Sequence, residues 1–255
     1  MAPGWDNEMY RLGGSLAVRL PRRLTAVPLT LHEQQWLPSL ASSLPLPIPA
    51  PIRMGIASAR YPAPWSIVPW LEGEAADLDT PGEDQAEVLA GFLRALHVPA
   101  PALAPLNPYR GVPLRQRADV MAQRLTAHER RARLSPRIQE LWRTALAAPE
   151  DAAPTWIHGD LHARNVLVAG GRLKAVIDWG DLCLGDRATD LAAVWILLDS
   201  LPARSAALAA VGASDATWAR SRGWAVFFGL LLGSLEDPRY ARVGQRTLEH
   251  LDEGP

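Results

Sequence analysis

Two aspartate-containing segments on either side of a glycine pair constrain the fold of this chain more than any other feature. The first segment holds Asp160 and Asn165 and follows the apolar Trp156-Ile157, and the second holds Asp178. The apolar residues predict a strand whose end presents Asp160 at a cleft. Gly170-Gly171 predicts a tight hairpin between the segments. Such a hairpin would bring Asn165 and Asp178 to the same end of a two-stranded unit.

These three side chains suit phosphoryl transfer. That reaction needs a carboxylate beside the attacking hydroxyl, oxygen ligands for Mg²⁺, and a cation on the phosphates that are not transferred. Asp160 is the candidate for the first role. Asn165 and Asp178 are candidates for the second, because Mg²⁺ takes hard oxygen ligands and keeps several of its waters.

The first part of the chain predicts a small, mainly antiparallel sheet with one helix. Strand-like runs over residues 8–12 and 16–20 flank Gly13-Gly14, which suits a hairpin turn. Two further strands are predicted over residues 52–57 and 65–70. A helix is predicted over residues 31–44, ending at a series of alternating prolines. Its apolar side would consist of Leu31, Trp36, Leu37 and Leu40.

From residue 71 onward the pattern is helical. Thr80-Pro81-Gly82-Glu83 has the form of a capping box and predicts a helix reaching about His97. Further helices are predicted over residues 114–134, 136–147 with Ser135 as N-cap, 191–201, 205–211 and 215–235. The apolar run 224–235 is too short to span a bilayer and predicts a buried helix. A connection near residues 69–74 predicts two lobes with a ligand cleft between them.

Composition limits the classes of protein to consider. The chain has 255 residues and a formal net charge of -1, so it lacks the basic excess typical of proteins that bind nucleic acid or anionic membranes. Cys183 is the one cysteine, which excludes an intrachain disulfide. The N-terminal residues lack the pattern of a secretory signal, so we expect a cytoplasmic protein. Lys174 is the one lysine, so any phosphate-binding cation in the first lobe must be arginine.

The motifs and their order resemble the aminoglycoside phosphotransferase family. His158-Gly-Asp-Leu-His-Ala-Arg-Asn165 is similar to the kinase catalytic loop, with Gly159 where kinases have arginine. Asp178-Trp-Gly180 stands where kinases have Asp-Phe-Gly. Gly185-Asp-Arg-Ala-Thr-Asp190 follows at the family's position. Segments such as Trp70-Leu-Glu-Gly73 resemble the small lobe, so the resemblance covers nearly the whole chain.

The resemblance implies a fold and the principal roles. The fold would be α+β and bilobal, like a protein kinase, with a small antiparallel-sheet lobe over residues 1–70 and a larger helical lobe over residues 71–255. The first lobe would bind ATP, and the second would carry out catalysis and bind the acceptor. Asp160 would be the catalytic base. Asn165 and Asp178 would be the ligands of Mg²⁺.

The resemblance also implies a nucleotide site. Arg19 would contact phosphate from a strand and pair with Glu33, and backbone groups near Trp70 and Leu71 would hold the adenine. Kinases usually have lysine where Arg19 stands, and an arginine binds phosphate with a planar fork instead of a point charge. A weak surface salt bridge is the alternative interpretation of the pair between Arg19 and Glu33.

The reaction implied is transfer of the ATP γ-phosphoryl group to a hydroxyl of a small molecule. The family suggests an aminoglycoside-like antibiotic as acceptor, for which Asp181 and Asp186 are candidate ligands. A kinase for a neutral or zwitterionic metabolite alcohol is one alternative. A nucleotide-binding pseudokinase with a regulatory role is another, and the intact trio of Asp160, Asn165 and Asp178 favours catalysis over it.

Several neighbouring residues have ordinary structural interpretations. We expect His158 to form hydrogen bonds within the loop, Asp190 to be structural because aspartates before a helix cap it and favour its dipole, and Trp179 to pack in the core. His162 is equally suited to phosphate contact and to a solvated loop. The arginine-rich residues 124–133 are expected to form solvated helix faces.

The N-terminus leads to a separate expectation. Gly4-Trp-Asp-Asn7 resembles the second half of the kinase phosphate-covering loop, and three residues precede it where a first strand would lie. Weak ATP affinity is therefore expected. The strand after the loop would be an exposed sheet edge. This predicts either a homodimer through that edge or poor order before Tyr10.

Overall fold

The N-terminal part of the chain forms an antiparallel sheet. The computed structural model describes residues 6–129 and 134–254. Strands β1 (Asn7–Leu12) and β2 (Leu16–Pro21) form the predicted hairpin, and β3 (Arg53–Gly55) and β4 (Trp65–Pro69) complete a sheet of order β1-β2-β4-β3. Gly13 has φ +64°, which the turn requires and glycine adopts without strain. The third strand is shorter than predicted, and the fourth ends one residue early.

Strand β1 lies at the edge of this sheet, with β2 as its neighbour. Asn7 to Met9 pair with β2, so the expectation of poor order before Tyr10 is wrong for these residues. The Gly4-Trp5 part of the loop-like segment lies outside the described residues. Pairing of the edge with a second copy stays a prediction.

Helix α1 (Val27–Ala41) covers the sheet and begins four residues before its predicted start, because Pro28 supplies a helical first turn. Leu31, expected to be buried, is 48% exposed. The buried face of α1 instead includes the carboxylate of Glu33, which a hydrophobicity pattern does not predict. The buried residues of this face follow helical spacing and are Thr30, Glu33, Leu37 and Leu40.

The second part of the chain combines two small sheets with helices. Strands β5 (Glu74–Ala75), β7 (Val166–Ala169) and β8 (Arg172–Val176) form one sheet, and β6 (Thr155–Ile157) pairs with β9 (Cys183–Gly185) in the other. The β7–β8 hairpin turns at Gly170-Gly171, as predicted. The longer helices are α2 (Ala86–Leu96), α3 (Ala118–Glu129), α4 (Pro136–Ala147), α7 (Leu201–Val211), α8 (Asp215–Gly233) and α9 (Pro238–Glu253). Ser135 caps α4 by accepting from the Ile138 N–H at 3.2 Å, as predicted.

The capping-box prediction at Thr80 is wrong. The helix begins with a 3-10 turn, Glu83–Gln85, and no side chain caps it. The Gly82 N–H donates to the Gly171 carbonyl at 2.8 Å, and the Gln85 side chain accepts from the Leu173 N–H at 3.1 Å. Contacts with the β7–β8 hairpin therefore fix the start of α2.

The helix predicted over residues 191–201 is also wrong. Two short helices, α5 (Ala188–Leu191) and α6 (Ala193–Leu197), precede α7. Leu198 is extended and ends α6, and Ser200 then caps α7 by accepting from the Ala203 N–H at 3.2 Å. Local capping chemistry overrides the continuous apolar pattern.

Helices α8 and α9 form the centre of the C-terminal core. The predicted buried helix is confirmed as the second half of α8, whereas α9 was not predicted at all. A Cβ at Gly244 of α9 would lie 2.2 Å from the backbone nitrogen of Gly233, so glycine permits the close approach of the two helices. Within the described part of the chain, no helix has the length and hydropathy needed to cross a membrane.

Candidate active site

The buried carboxylate of Asp190 anchors the loop after β6 through hydrogen bonds to its backbone. Asp190 accepts from the His158 N–H at 2.7 Å through Oδ2 and from the Gly159 N–H at 2.9 Å through Oδ1. The His97 ring nitrogen Nε2 lies 3.3 Å from Oδ2. Asp190 is fully buried, which strengthens these charge-assisted bonds. The structural role predicted for Asp190 is confirmed.

His158 and Gly159 then shape the turn that presents Asp160. The Asp160 N–H donates to Nδ1 of His158 at 3.2 Å, and Nε2 of that ring lies 3.0 Å from the Ile177 carbonyl, which fits the tautomer with its proton on Nε2. Gly159 has φ +85°, and a Cβ there would lie 2.7 Å from the Asp181 carbonyl oxygen. The arginine found at this place in kinases would not fit.

Asp160 lies among hydrogen-bond donors. Its Oδ1 accepts from Nη2 of Arg110 at 3.0 Å, and its Oδ2 lies 3.4 Å from both Nδ2 of Asn165 and Nε2 of His162. Burial opposes ionisation of the carboxyl, but interactions with the neighbouring His162 and Arg110 hold its pKa below the ordinary value. The side chain keeps 23% of its surface exposed. Asp160 is therefore an oriented, ionised carboxylate that a ligand can reach.

Asn165 and Asp178 lie at the same end of the β7–β8 hairpin, as the sequence suggested. The antiparallel pairing continues one step beyond the strands, because the Ile177 N–H donates to the Asn165 carbonyl at 2.8 Å. Nδ2 of Asn165 donates to the Asp160 carbonyl at 2.9 Å, so its Oδ1 is the atom left for a metal. The Asp178 side chain is 60% exposed. An amide oxygen and an open carboxylate fit Mg²⁺.

Asp178 has an unusual backbone. Its φ is +62°, the one non-glycine residue with positive φ among those described. Such a conformation costs on the order of 1 kcal/mol or more and persists where the surroundings enforce it. The next residue supplies the enforcement, since Trp179 is buried and its Nε1 donates to the Val176 carbonyl at 3.0 Å. The packing role predicted for Trp179 is confirmed.

A buried ion pair faces Asp178 from the N-terminal sheet. Nη2 of Arg19 on β2 lies 2.7 Å from Oε1 of Glu33 on α1 and 3.8 Å from Oδ1 of Asp178. Side-chain exposure is 9% for Arg19 and 5% for Glu33, so the alternative of a surface salt bridge is wrong. Burial raises the pKa of Glu33 to about 7 despite the opposing charge of Arg19. The pair places a buried arginine beside the metal candidates.

The segment expected to hold adenine has part of its backbone committed. The Trp70 N–H donates to the Ser15 carbonyl at 2.8 Å, and the Arg11 guanidinium lies 4.7 Å from the Trp70 ring centroid. Pro69 carries no N–H. The Trp70 carbonyl and the Leu71 N–H are therefore the candidates for contact with a base.

The two candidate substrate ligands differ in their surroundings. Asp181 lies beside Asp160, accepts from Nδ2 of Asn107 at 2.6 Å, and has its pKa raised by burial and by the charge of Asp160. Asp186 instead pairs with Nε of Arg220 at 2.6 Å and accepts from the Ala188 N–H at 3.0 Å. Both oxygens of Asp186 are used within the C-terminal core, so the structure does not support it as a substrate ligand.

Sequence reasoning missed Arg110, although it touches the candidate base. The residue lies in a proline-containing loop between α2 and α3 that carries no periodicity or motif. The prediction of solvated helix faces over residues 124–133 is wrong for Arg124, which is half-buried with its guanidinium 5.7 Å from the Phe227 ring centroid. Residues 130–133 lie outside the described part.

Comparison with known proteins places this chain in a family. A family profile described as the phosphotransferase enzyme family (APH) matches residues 1–224. A comparison with curated protein sequences gave no significant match.

Solved structures show the same fold. The GDP complex of aminoglycoside 2'-phosphotransferase-IIIa has a TM-score of 0.65 at 16% identity, covering 99% of this chain and 91% of that one. ADP-bound aminoglycoside phosphotransferase APH(2'')-Ib has a TM-score of 0.59 at 18% identity, covering 98% and 93%. Macrolide 2'-phosphotransferase MphH from Brachybacterium faecium has a TM-score of 0.57 at 21% identity, covering 96% and 89%. The fold is protein-kinase-like, and by its family match the chain belongs to the phosphotransferase enzyme family.

Proposed function

We propose that this protein transfers the γ-phosphoryl group of ATP to a hydroxyl of a small molecule. The observation that carries the proposal is the meeting of three elements at one cleft. The Asp160 loop contacts the Asp178 end of the β7–β8 hairpin through His158 and the Ile177 carbonyl, and Asp178 in turn lies 3.8 Å from Arg19 of the buried pair of Arg19 and Glu33. Positioning and charge neutralisation are what this reaction asks of a protein.

Asp160 is the proposed base. It accepts the acceptor's hydroxyl proton as that oxygen forms a bond to the γ-phosphorus, while the bond from phosphorus to the β,γ-bridging oxygen breaks and ADP leaves. Arg110 and His162 favour the ionised state of the carboxylate before the proton arrives, and Nδ2 of Asn165 fixes the loop that carries it. A base positioned in this way is typically worth about 10²–10⁴ in rate.

Arg19, Asn165 and Asp178 would hold the phosphates and Mg²⁺. The metal would supply charge neutralisation on the phosphate oxygens. The GDP and ADP bound in the related structures support a nucleotide in this cleft. The Trp70 carbonyl and the Leu71 N–H are the proposed contacts for its base.

Three classes of acceptor are considered. Two are suggested by the related structures, and the third is an alternative to them. Related structures hold kanamycin or gentamicin, which supports an aminoglycoside-like acceptor, and another is a macrolide phosphotransferase. A metabolite alcohol is the alternative. Asp181 is the described carboxylate beside Asp160 that would face an acceptor. The intact trio of Asp160, Asn165 and Asp178 argues against a pseudokinase.

The test is an Asp160→Asn variant assayed against a panel of aminoglycosides, macrolides and metabolite alcohols with Mg·ATP. We expect kcat to fall about 10²–10⁴-fold, while the Kd for nucleotide changes little because Asp160 faces the acceptor. Asp84→Asn is a matched control, since that aspartate is exposed on the 3-10 turn before α2. Near-normal kcat in the Asp160 variant would remove this residue from the mechanism.

A further inference from the structure

Three arginines gather beside the candidate base. The Arg110 guanidinium lies 5.0 Å from the Phe228 ring centroid, and those of Arg117 and Arg124 lie 5.4 and 5.7 Å from the Phe227 ring centroid. The two phenylalanines are adjacent on α8, with ring centroids 6.1 Å apart. The arginines come from three different segments: the loop before the 3-10 turn Leu114–Arg117, that turn, and α3. We call Arg110, Arg117 and Arg124 the arginine cluster.

Two members of the arginine cluster, Arg117 and Arg124, lack among the described residues the carboxylate partner that other arginines of the protein have. Arg220 pairs with Asp186 at 2.6 Å, and Arg239 pairs with Asp77 at 2.7 Å. In the described part of the chain, by contrast, neither Arg117 nor Arg124 has a carboxylate within ion-pair distance. Each member of the cluster also has a buried Nε without a hydrogen-bond partner among the described residues.

The charges in the cluster oppose one another. Burial lowers the pKa of Arg117 and that of Arg124, and the charge of Arg110 lowers both further. Aromatic faces compensate a guanidinium only in part. A negatively charged group placed among the three would relieve this repulsion.

Arg110 connects the cluster to the reacting position. Its Nη2 donates to Oδ1 of Asp160, so the cluster begins one hydrogen bond from the proposed base. At the other end, Arg124 lines a cavity of about 320 Å³ between α3 and α8, together with Gln123, His128 and Ser234. That volume is at the lower end of those of small-molecule sites. Tyr109, with the Arg117 guanidinium 5.7 Å from its ring centroid, adds an exposed aromatic surface.

We propose that the acceptor is an alcohol that carries a negatively charged carboxylate or phosphate group, bound by Arg117 and Arg124 while its hydroxyl faces Asp160. This inference rests on the proposed phosphotransferase function and specifies its substrate class. A polycationic acceptor would instead be repelled by these arginines. Guanidinium forks bind carboxylate and phosphate alike, so both groups are included.

The test compares four acceptors that share a six-carbon skeleton and differ in charge, with kanamycin added as a polycationic reference. Gluconate and glucose 6-phosphate are anionic, glucose is neutral, glucosamine is cationic, and kanamycin is the polycation. Binding is measured by calorimetry in the presence of a non-hydrolysable ATP analogue, and transfer is measured with Mg·ATP. We expect an anionic member to bind at least about tenfold more tightly than glucose, as charge-assisted hydrogen bonds predict. Gluconate and glucose 6-phosphate distinguish the carboxylate from the phosphate form of the site.

Variants locate the effect in the cluster. Arg117→Gln and Arg124→Gln should each reduce the ratio of anionic to neutral binding about tenfold or more, and Arg→Lys at the same positions should restore part of it because the charge returns. Arg115→Gln is the matched control. It lies in the same 3-10 turn as Arg117, but its side chain is exposed and pairs with Glu150. Its ratio should match the wild type.

The possible outcomes separate this inference from the proposed function. Phosphorylation of kanamycin or glucose in preference to every anionic compound would overturn the inference and leave the phosphotransferase proposal standing. An unchanged ratio of anionic to neutral binding in Arg117→Gln and Arg124→Gln would likewise overturn the inference and leave the phosphotransferase proposal standing. If no compound is phosphorylated, calorimetry still decides, because equal binding of gluconate, glucose 6-phosphate and glucose refutes the anionic site independently of activity.

Discussion

Glu33 gives the sharpest prediction of how this protein responds to pH. The residue is buried on α1, and its one ion-pair partner in the described structure is Arg19. Burial raises its pKa from 4.5 to about 7. Glu33→Gln removes the titration while keeping an oxygen that accepts from Nη2 of Arg19. The variant therefore isolates the free energy linked to this one proton.

The sign and size of this pH effect on stability follow from the linkage between protonation of Glu33 and folding. The folded protein holds the Glu33 proton more tightly than the unfolded chain does, so protonation favours the folded state. The stabilisation is fully present below pH 4.5 and is lost as the pH rises through about 7. One pKa unit corresponds to about 1.4 kcal/mol, so the loss is roughly 3 kcal/mol.

The assay is urea unfolding of wild type and Glu33→Gln, followed by tryptophan fluorescence at several pH values from 5 to 8. The free energy of unfolding of the wild type should fall relative to that of the variant by roughly 2–3 kcal/mol across this range. Glu72→Gln is the matched control, because Glu72 is 72% exposed in its pair with Arg11. The difference in the free energy of unfolding between Glu72→Gln and the wild type should not vary with pH.

Two results would refute the reasoning. A difference between wild type and Glu33→Gln that stays constant from pH 5 to 8 would mean that the Arg19 charge fully offsets burial. A difference that grows in the opposite direction, with the wild type gaining stability as the pH rises, would mean that the pair favours the ionised carboxylate.

Three further predictions concern the loops and the phosphate site. Asp178→Ala should shift the Mg²⁺ dependence of ATP binding to higher concentration, and superimposable titration curves would contradict its role as a ligand. Arg19→Lys should lower kcat/KM for ATP about tenfold, because a bidentate fork becomes a point charge; a rise in this parameter would show that the pocket is not fitted to arginine. Asp190→Asn should cost roughly 1–3 kcal/mol of stability by placing an amide donor against a buried N–H, and unchanged urea unfolding would refute this.

The candidate site could be predicted from sequence where its geometry is local. Strand β6 ends just before the loop that carries Asp160, and the Gly170-Gly171 turn brings Asn165 and Asp178 to the same end of the hairpin, although a bulge between Leu167 and Val168 shifts the exact register. Both relations depend on residues near one another in the chain. Strand alternation and turn chemistry are sufficient to infer them.

What could not be predicted depends on contacts between distant segments. Arg110 reaches Asp160 from a loop fifty residues earlier in the chain, and nothing in its local sequence distinguishes it from a surface arginine. A hydrophobicity pattern places Leu31 on the buried face of α1, whereas the structure buries Glu33 there. The charge of Glu33 is compensated by Arg19, which lies on a strand and so cannot be found from the helix sequence alone. Helix α9 buries Gly244, Thr247 and His250, which give a weak apolar signal.

Direct contacts link the loop that carries Asp160 to the loop that carries Asp178, and this explains why strain is tolerated at the second aspartate. Nε2 of His158 lies 3.0 Å from the Ile177 carbonyl, and the His158 and Trp179 rings meet edge to face with centroids 4.7 Å apart. A change of the Asp178 backbone to a negative φ would therefore displace the His158 ring, whose Nδ1 accepts from the Asp160 N–H. The strain is of the order of 1–3 kcal/mol, less than the cost of breaking these buried contacts together. These contacts thus hold the proposed base and the proposed metal ligand in one fixed relation in the structure.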